Sequence, residues 1–211
     1  MPSFIRMGLV LMAVGAIATT ILATTNAATE GAIAEAVRLD TLKALRSVLP
    51  VGYDNDPVED TVMLADVGLN KKGTPVKFYR SRKGDQAMAA AFVVTAPDGY
   101  SGDIDTIMAV SVDGTVTGIQ VVNHKETPGL GDKIEASKSD WAESFRGKRL
   151  DTFKWGVKKD GGGFDQFAGA TITPRAVVKS VKYGLEFFVK HQAQIFAQAE
   201  PVAVQPAQAA H

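Results

Sequence analysis

The chain contains no cysteine and carries no net charge, and each absence excludes a class of function. Without cysteine, its 211 residues form no disulfide, no thiolate-bound iron–sulfur cluster and no cysteine-based zinc site. The 23 basic and 23 acidic residues cancel, and no stripe of basic residues alternates with aromatic ones, so nucleic-acid binding is not expected. The histidines His124, His191 and His211 lie too far apart for metal-ligand spacing, so no metal site is expected.

Only one apolar run is long enough to cross a membrane. Residues 8–28 carry no charged side chain, and a helix of that length spans about 31 Å, close to the hydrocarbon thickness of a bilayer. Arg6 precedes the run, and the first charges after it are those of Glu30 and Glu35, so the positive-inside rule predicts a cytoplasmic N-terminus and an exported domain. A cleaved signal peptide is the alternative, because small residues around Ala27 suit cleavage, and it also exports the domain.

Helical and strand patterns alternate along the rest of the chain and predict the α+β class. Apolar residues at helical spacing predict an amphipathic helix over residues 32–49, which packs on the folded domain and ends at Pro50. The Asp113-Gly114 pair is the strongest hairpin signal in the chain. Strand patterns cover residues 76–80, 87–95, 104–112, 115–122 and 153–158, and a short helix is predicted over 138–145.

These patterns predict four parts. Residues 1–30 form the N-terminus and anchor, and residues 31–74 form the amphipathic helix and a connecting segment. Residues 75–191 form the main folded domain. Residues 192–211 are rich in Ala, Gln and Pro and are predicted to be disordered.

A helix start near the C-terminus forms the first candidate site. Thr173-Pro174 is typical of a capped first turn, and the apolar residues that follow predict a helix to about His191. Thr171 then lies two residues before the cap, where free N–H groups and the positive end of the helix dipole favour a phosphate. The small residues before it allow a bulky partner to approach the backbone. The alternative is a capped helix with a solvated threonine in its entry loop.

The segment after the predicted hairpin forms the second candidate site. Pro128, Gly129 and Gly131 predict a tight, exposed loop with accessible backbone groups. The glycine-rich turn at residues 160–163 matches neither a dinucleotide-binding fingerprint nor a P-loop. No general acid–base pair and no nucleophile–base pair is apparent, so no catalytic residue is predicted.

Both candidate sites resemble one protein family. The stretch Asp165 to Thr171, with small residues before its threonine, resembles the flavinylation motif of membrane-anchored FMN-binding proteins. These include the G subunit of the Rnf (Rsx) electron-transport complex and the C subunit of the sodium-pumping quinone reductase. The string Glu126 to Gly131 and the stretch Tyr100-Ser101-Gly102 are also similar to the Rnf protein. One difference is Ala168, where the motif usually has a hydroxyl residue.

The resemblance implies a cofactor and a set of contacts. It implies that residues 75–191 are an FMN-binding domain with FMN joined to Thr171 through a phosphoester, and it places the loop after the hairpin against the flavin ring. We therefore expect two groups of cofactor contacts: Asp165, Gly169, Ala170, Thr173 and Arg175 around the attachment point, and Glu126, Thr127, Gly129, Leu130 and Gly131 around the ring.

The resemblance also implies a role and a location. The chain is expected to relay electrons in an ion-translocating ferredoxin/NAD oxidoreductase, beside other membrane subunits and without a catalytic site of its own. A flavin transferase matures it, and its flavin domain lies on the periplasmic side of a bacterial inner membrane. Three alternatives stay open: the C subunit of a sodium-translocating quinone reductase, a non-redox membrane-tethered binding domain, and an exported carrier that holds flavin without a bond.

Overall fold

The computed structural model describes residues 2–65, 68–70 and 73–197 and divides the chain into two compact units, Met1–Thr41 and Leu42–His211. The first unit consists of most of helix α1, which runs from Ser3 to Val48. Among the described residues, α1 is the helix that is long and apolar enough to cross a membrane. This agrees with the anchor predicted from the apolar run.

The helix predicted over residues 32–49 is confirmed as far as Val48, but it is not a separate element. The structure has one continuous helix, because residues 29–48 are mostly good helix formers and contain no proline. Ile33 and Val37, which were expected to pack on the folded domain, are exposed. Only Leu45 and Val48, in the last turns, are buried.

The second unit is built on a five-stranded antiparallel sheet in which each strand pairs with its neighbours in the chain. The hairpin predicted at Asp113-Gly114 is confirmed, and the α+β class is confirmed with it. Strand β1 was not predicted, because four residues are too few to show a clear alternation. The strands are β1 (Thr61–Leu64), β2 (Val76–Lys83), β3 (Gln86–Ala96), β4 (Ile104–Ser111) and β5 (Val116–Asn123).

The two faces of the sheet carry different cores. Small side chains such as Ala89, Ala91 and Ala109 cover one face and pack against Leu45 and Val48. The other face carries larger side chains and packs against helix α2 (Ile172–Phe196). Because side chains alternate along a strand, β3 and β4 contribute to both cores.

Helix α2 begins earlier and ends later than predicted. Its first helical residue is Ile172, so Thr171 occupies the N-cap position and Thr173 lies inside the first turn. The helix bends at His191 and continues to Phe196, so residues 192–196 are helical rather than disordered. The rest of the predicted tail, from residue 198, lies outside the described residues.

Two further elements between β5 and α2 differ from the prediction. The short helix is a 3-10 helix, Asp140–Phe145, and two more 3-10 turns cover Gly131–Ile134 and Lys158–Asp160. Residues 153–158 form no strand, and Val157 makes only an isolated bridge to Phe164. The apolar pattern there reflects aromatic side chains that pack on one another rather than a sheet.

Candidate functional site

A cavity of about 260 Å³ opens between two segments that precede and follow the 3-10 helices. One wall is the Glu126 loop (Glu126–Gly131), which follows β5, and the other is the Thr171 segment (Gly169–Thr171), which leads into α2. The structure therefore brings the two sequence-predicted sites together across one opening. The lining residues are Tyr100, Glu126, Thr127, Leu130, Gly131, Gly169, Ala170, Thr171, Ile172 and Thr173.

The Thr171 segment presents a hydroxyl at the start of a long helix. Gly169 has φ +78°, a conformation that favours glycine, and the Ala170 N–H donates to the Phe167 carbonyl at 3.2 Å. Thr171 occupies the N-cap position of the 25-residue helix α2, but its side chain makes no capping hydrogen bond. Its hydroxyl is therefore not used to cap the helix and lines the cavity.

Aromatic packing and a hydrogen bond hold the backbone that leads into the Thr171 segment. Phe167 is buried and contacts Trp141, with ring centroids 5.4 Å apart. The Trp141 indole N–H donates to the Asp165 carbonyl at 2.8 Å. The backbone that approaches Thr171 is thus fixed by a buried ring and one long-range hydrogen bond.

The Glu126 loop closes on itself. The N–H groups of Leu130 and Gly131 both donate to the Thr127 carbonyl, at 3.2 and 3.1 Å. These two amides are therefore engaged within the loop and do not point a free N–H at a ligand in the cavity. Gly129 has φ +77° and turns the chain, but it does not line the cavity. The Leu130 side chain is 43% exposed and forms part of the cavity wall.

Glu126 is a buried carboxylate that joins three segments. It is 4% exposed, and its Oε1 accepts the Ser101 N–H at 2.8 Å. Its Oε2 accepts the hydroxyl of Thr173, which is 1% exposed. The Glu126 N–H donates to His124 Nδ1 at 3.0 Å, and His124 Nε2 lies 3.0 Å from the Glu135 carboxylate. Hydrogen bonds thus compensate the burial of this charge.

Two of the expected contacts lie away from the cavity. Asp165 forms an ion pair with Lys158 at 2.5 Å, and its side chain is 70% exposed. Arg175 makes two hydrogen bonds to Asp160, at 2.6 and 2.9 Å. This guanidinium holds the pKa of Asp160 below its ordinary value, and Asp160 raises the pKa of Arg175. Arg175 is therefore engaged with Asp160 and is not among the lining residues, and its contact with a phosphate stays a prediction.

Sequence reasoning missed two side chains of the cavity. Tyr100 and Ile172 are 68% and 44% exposed and line the opening. Ile172 directly follows Thr171, so its position beside the cavity could have been inferred from the sequence. Tyr100 lies in the segment between β3 and β4, and its place at the cavity follows from tertiary contacts that no local pattern reports.

The lining fits an aromatic group that carries a phosphate. Tyr100, Leu130 and Ile172 offer exposed apolar surface, while the first turn of α2 offers N–H groups and the positive end of the helix dipole to an anion. Glu126 is the one charged side chain among the described lining residues. The volume is below the roughly 300–1,000 Å³ usual for enclosed small-molecule sites, so part of such a ligand stays in solvent.

Comparisons with known proteins point to one family. The FMN-binding domain family matches residues 99–186, which include every lining residue of the cavity. A Yersinia pestis protein, named as the G subunit of an ion-translocating oxidoreductase complex, is 46% identical over 181 residues, 84% of this chain and 86% of the relative. Proteins of the same name from Pseudomonas aeruginosa (43% over 202 residues, 94% of each chain) and Cereibacter sphaeroides (44% over 194 residues, 90% of this chain and 86% of the relative) match as well.

Proposed function

This chain belongs to the family of G subunits of ion-translocating oxidoreductase complexes, and from that premise we propose that it relays electrons through FMN bonded to the Thr171 hydroxyl. It is a subunit of such a complex and contains an FMN-binding domain. Its partners are the other subunits of that complex. The bond, its position and the maturation enzyme belong to the proposal.

One observation supports Thr171 over its neighbours. Three threonines line the cavity, but only Thr171 lies at the N-cap of α2, where a phosphate attached to the hydroxyl would meet the free N–H groups of the first turn. The Thr173 hydroxyl is buried and donates to Glu126, so it is not available for modification. Thr127 lies in the opposite wall, which leads only into the four-residue 3-10 helix Gly131–Ile134.

The chain's own residues would hold and shield the cofactor. The exposed apolar side chains of Tyr100, Leu130 and Ile172 can contact the faces and edge of a flat ring, and the α2 first turn can stabilise the single negative charge of a phosphodiester. Bound FMN supplies the redox chemistry, since the side chains of the cavity supply none. The shallow opening leaves an edge accessible to another electron carrier.

A covalent bond suits a carrier outside the cytoplasm, because a dissociated flavin would be lost there. A flavin transferase would form the bond between Thr171 Oγ1 and the phosphorus of an activated flavin nucleotide. The phosphoanhydride P–O bond of that donor breaks in the same step, its other half leaves as a nucleoside monophosphate that keeps the bonding electrons, and the hydroxyl proton passes to the transferase. Thr171 is thus an attachment point and not a catalytic nucleophile of this chain.

The apolar run in α1 supports a membrane location. We propose that it anchors the chain in a bacterial inner membrane with the N-terminus in the cytoplasm and the flavin domain in the periplasm. Tethering raises the effective concentration of the flavin beside the other subunits. A cleaved signal peptide would instead leave a shorter mature chain, which the mass of the purified protein distinguishes.

The test is a denaturing gel of the full chain expressed together with a flavin transferase. Wild-type protein is expected to give a fluorescent band, and Thr171→Ala a dark one. Thr173→Ala is expected to remain fluorescent, although it loses the buried hydrogen bond to Glu126. Equal fluorescence of wild type and Thr171→Ala would show that the attachment site is wrong.

Two further results would change the proposal. A native protein that is yellow but loses all flavin on denaturation would indicate a carrier that binds FMN without a bond. Wild-type protein that stays dark in both conditions, with active transferase present, would contradict the flavin carrier altogether. A peptide map of the fluorescent band then locates the added mass.

A further inference from the structure

We propose that Glu126 is the positioning residue of this cavity, with two effects: it fixes the distance between the cavity walls, and its negative charge lowers the reduction potential of the flavin. This inference rests on the proposed function, since it concerns a flavin held at Thr171. The sequence resemblance only implied that Glu126 lies near the flavin ring, and the proposal gives this side chain a physical role there.

The Glu126 carboxylate connects segments that are far apart in the chain. Its Oε1 binds the Ser101 N–H, 25 residues earlier in the chain, and its Oε2 binds the Thr173 hydroxyl, 47 residues later. The bond to Thr173 joins the Glu126 loop directly to the first turn of α2, which carries the attachment point. One buried hydrogen bond therefore connects the two walls of the cavity directly.

Gly131, the last residue of the Glu126 loop, packs against this hydrogen bond. A Cβ at Gly131 would lie 2.8 Å from the Thr173 Oγ1 and 3.0 Å from the Glu126 Oε2. Gly131 is not among the glycines with positive φ, so this position needs a glycine because of the contact and not because of its backbone. Gly129, in the same loop, is the opposite case, with φ +77° and no atom within 4 Å of a built Cβ. The loop thus closes directly onto the Glu126–Thr173 bond.

The Glu126 carboxylate also carries a negative charge into the cavity wall. Among the described residues, Glu126 has no cation within ion-pair distance, and its neighbours compensate it only with neutral donors. His124, whose Nδ1 accepts the Glu126 N–H, has its other ring nitrogen 3.0 Å from the Glu135 carboxylate. A buried negative charge that is hydrogen-bonded only by neutral donors, with no cation beside it, opposes the addition of an electron nearby.

Two substitutions separate the charge from the hydrogen bond. Glu126→Gln removes the charge but keeps the connection, because the amide oxygen can accept the Ser101 N–H while the amide nitrogen donates to Thr173 Oγ1. Thr173→Val keeps the charge but removes the hydroxyl that binds it. Neither change alters Thr171.

The experiment uses the full chain, expressed with the transferase and purified in detergent, and measures the midpoint potential of the attached flavin. Glu126→Gln is expected to raise the ratio of reduced to oxidised flavin about tenfold at the wild-type midpoint, which is about 59 mV for a one-electron step. Its melting temperature should stay close to that of the wild type. Thr173→Val should lower the melting temperature by several degrees and shift the potential less.

The outcomes are distinct. An unchanged potential in Glu126→Gln, or an equal shift in Thr173→Val, would overturn the role of the charge. A Thr173→Val protein as stable as the wild type would overturn the role of the hydrogen bond. A dark Glu126→Gln band beside a fluorescent wild type would show that Glu126 acts in attachment instead, which contradicts the proposal. A dark wild-type band would mean that the proposed function itself fails, and this inference with it.

Discussion

The two walls of the cavity are held in place by different forces. The Glu126 loop is fixed by a buried charge and its hydrogen bonds, whereas the Thr171 segment rests on a cluster of packed aromatic rings. The first wall is closed and internally bonded, and the second presents a hydroxyl that makes no capping bond. The difference is that one wall holds a buried charge, whereas the other presents a threonine side chain that makes no capping hydrogen bond.

The aromatic cluster that supports the Thr171 segment consists of Trp141, Phe145, Phe164 and Phe167 together with neighbouring rings. Trp141 and Phe145 are 5.1 Å apart, and Phe145 and Phe164 are 4.1 Å apart, measured between ring centroids. Such pairs contribute about 0.5–1.5 kcal/mol beyond the area they bury. Because the chain has only two tryptophans, and both contact Phe145, tryptophan fluorescence reports on this wall and not on the Glu126 loop.

The largest expected effect comes from removing the centre of the aromatic cluster. Phe145 is fully buried, so Phe145→Ala leaves a cavity and is expected to lower the free energy of unfolding by about 3–5 kcal/mol. Thermal or urea unfolding of the full chain in detergent, followed by tryptophan fluorescence, measures the loss. Phe145→Leu fills more of the space and should lose less. Equal losses in the two variants would contradict packing as the support of this wall.

A smaller effect is expected in the Glu126 loop, and two glycines separate its causes. Gly131→Ala places a methyl group against the Glu126–Thr173 bond and is expected to cost about 1–3 kcal/mol by overpacking. Gly129→Ala meets no atom but keeps a left-handed backbone, at a cost of about 1–2 kcal/mol.

The two glycine variants differ further in the flavin they carry. Only Gly131→Ala should move the potential of the attached flavin, because it alone displaces the Glu126 carboxylate. Spectroelectrochemical titration of both proteins checks this. A shift of equal size in Gly129→Ala would mean that loop strain, and not the carboxylate, controls the potential.

The smallest effect concerns the exposed ion pair near the start of α2. Arg175 lowers the pKa of Asp160 below its usual 3.8, so the pair adds stability above that pH and loses it as the pH falls through the lower, folded value. At neutral pH the wild type should therefore melt only slightly above Asp160→Asn, because both side chains are 44% exposed. As the pH falls below 3.8 that small difference should disappear, because Asp160 loses its charge. A large difference at neutral pH would contradict this.

Local patterns predicted the parts of this fold that local physics determines. The turn at Asp113-Gly114 was found because few residues adopt the backbone of a tight hairpin, and α2 was found because its apolar residues repeat with a helical period. The neighbourhood of Thr171 at a helix start followed from the same signals. The helix start itself was misplaced by two residues, because the Thr173-Pro174 pair is also compatible with the first turn.

The parts that were missed depend on distant residues. Thr173 was expected to cap the helix, but its hydroxyl bonds to Glu126, and no sequence spacing reports a contact over 47 residues. No sequence pattern indicated that the Arg175 guanidinium makes two hydrogen bonds to Asp160. The strand predicted over residues 153–158 failed because a short aromatic run packs equally well in a loop when other rings cover it.

The contact at Gly131 has a consequence for how this protein can diverge. Any side chain at position 131 occupies the space of the Glu126–Thr173 bond, so the three positions cannot vary independently. A lineage that acquires alanine or serine at position 131 should also have replaced Glu126 or Thr173, and where Glu126 is replaced by a neutral residue its flavin should accept electrons more readily. Changes at these three sites are therefore expected to occur together, and natural sequences record whether they did.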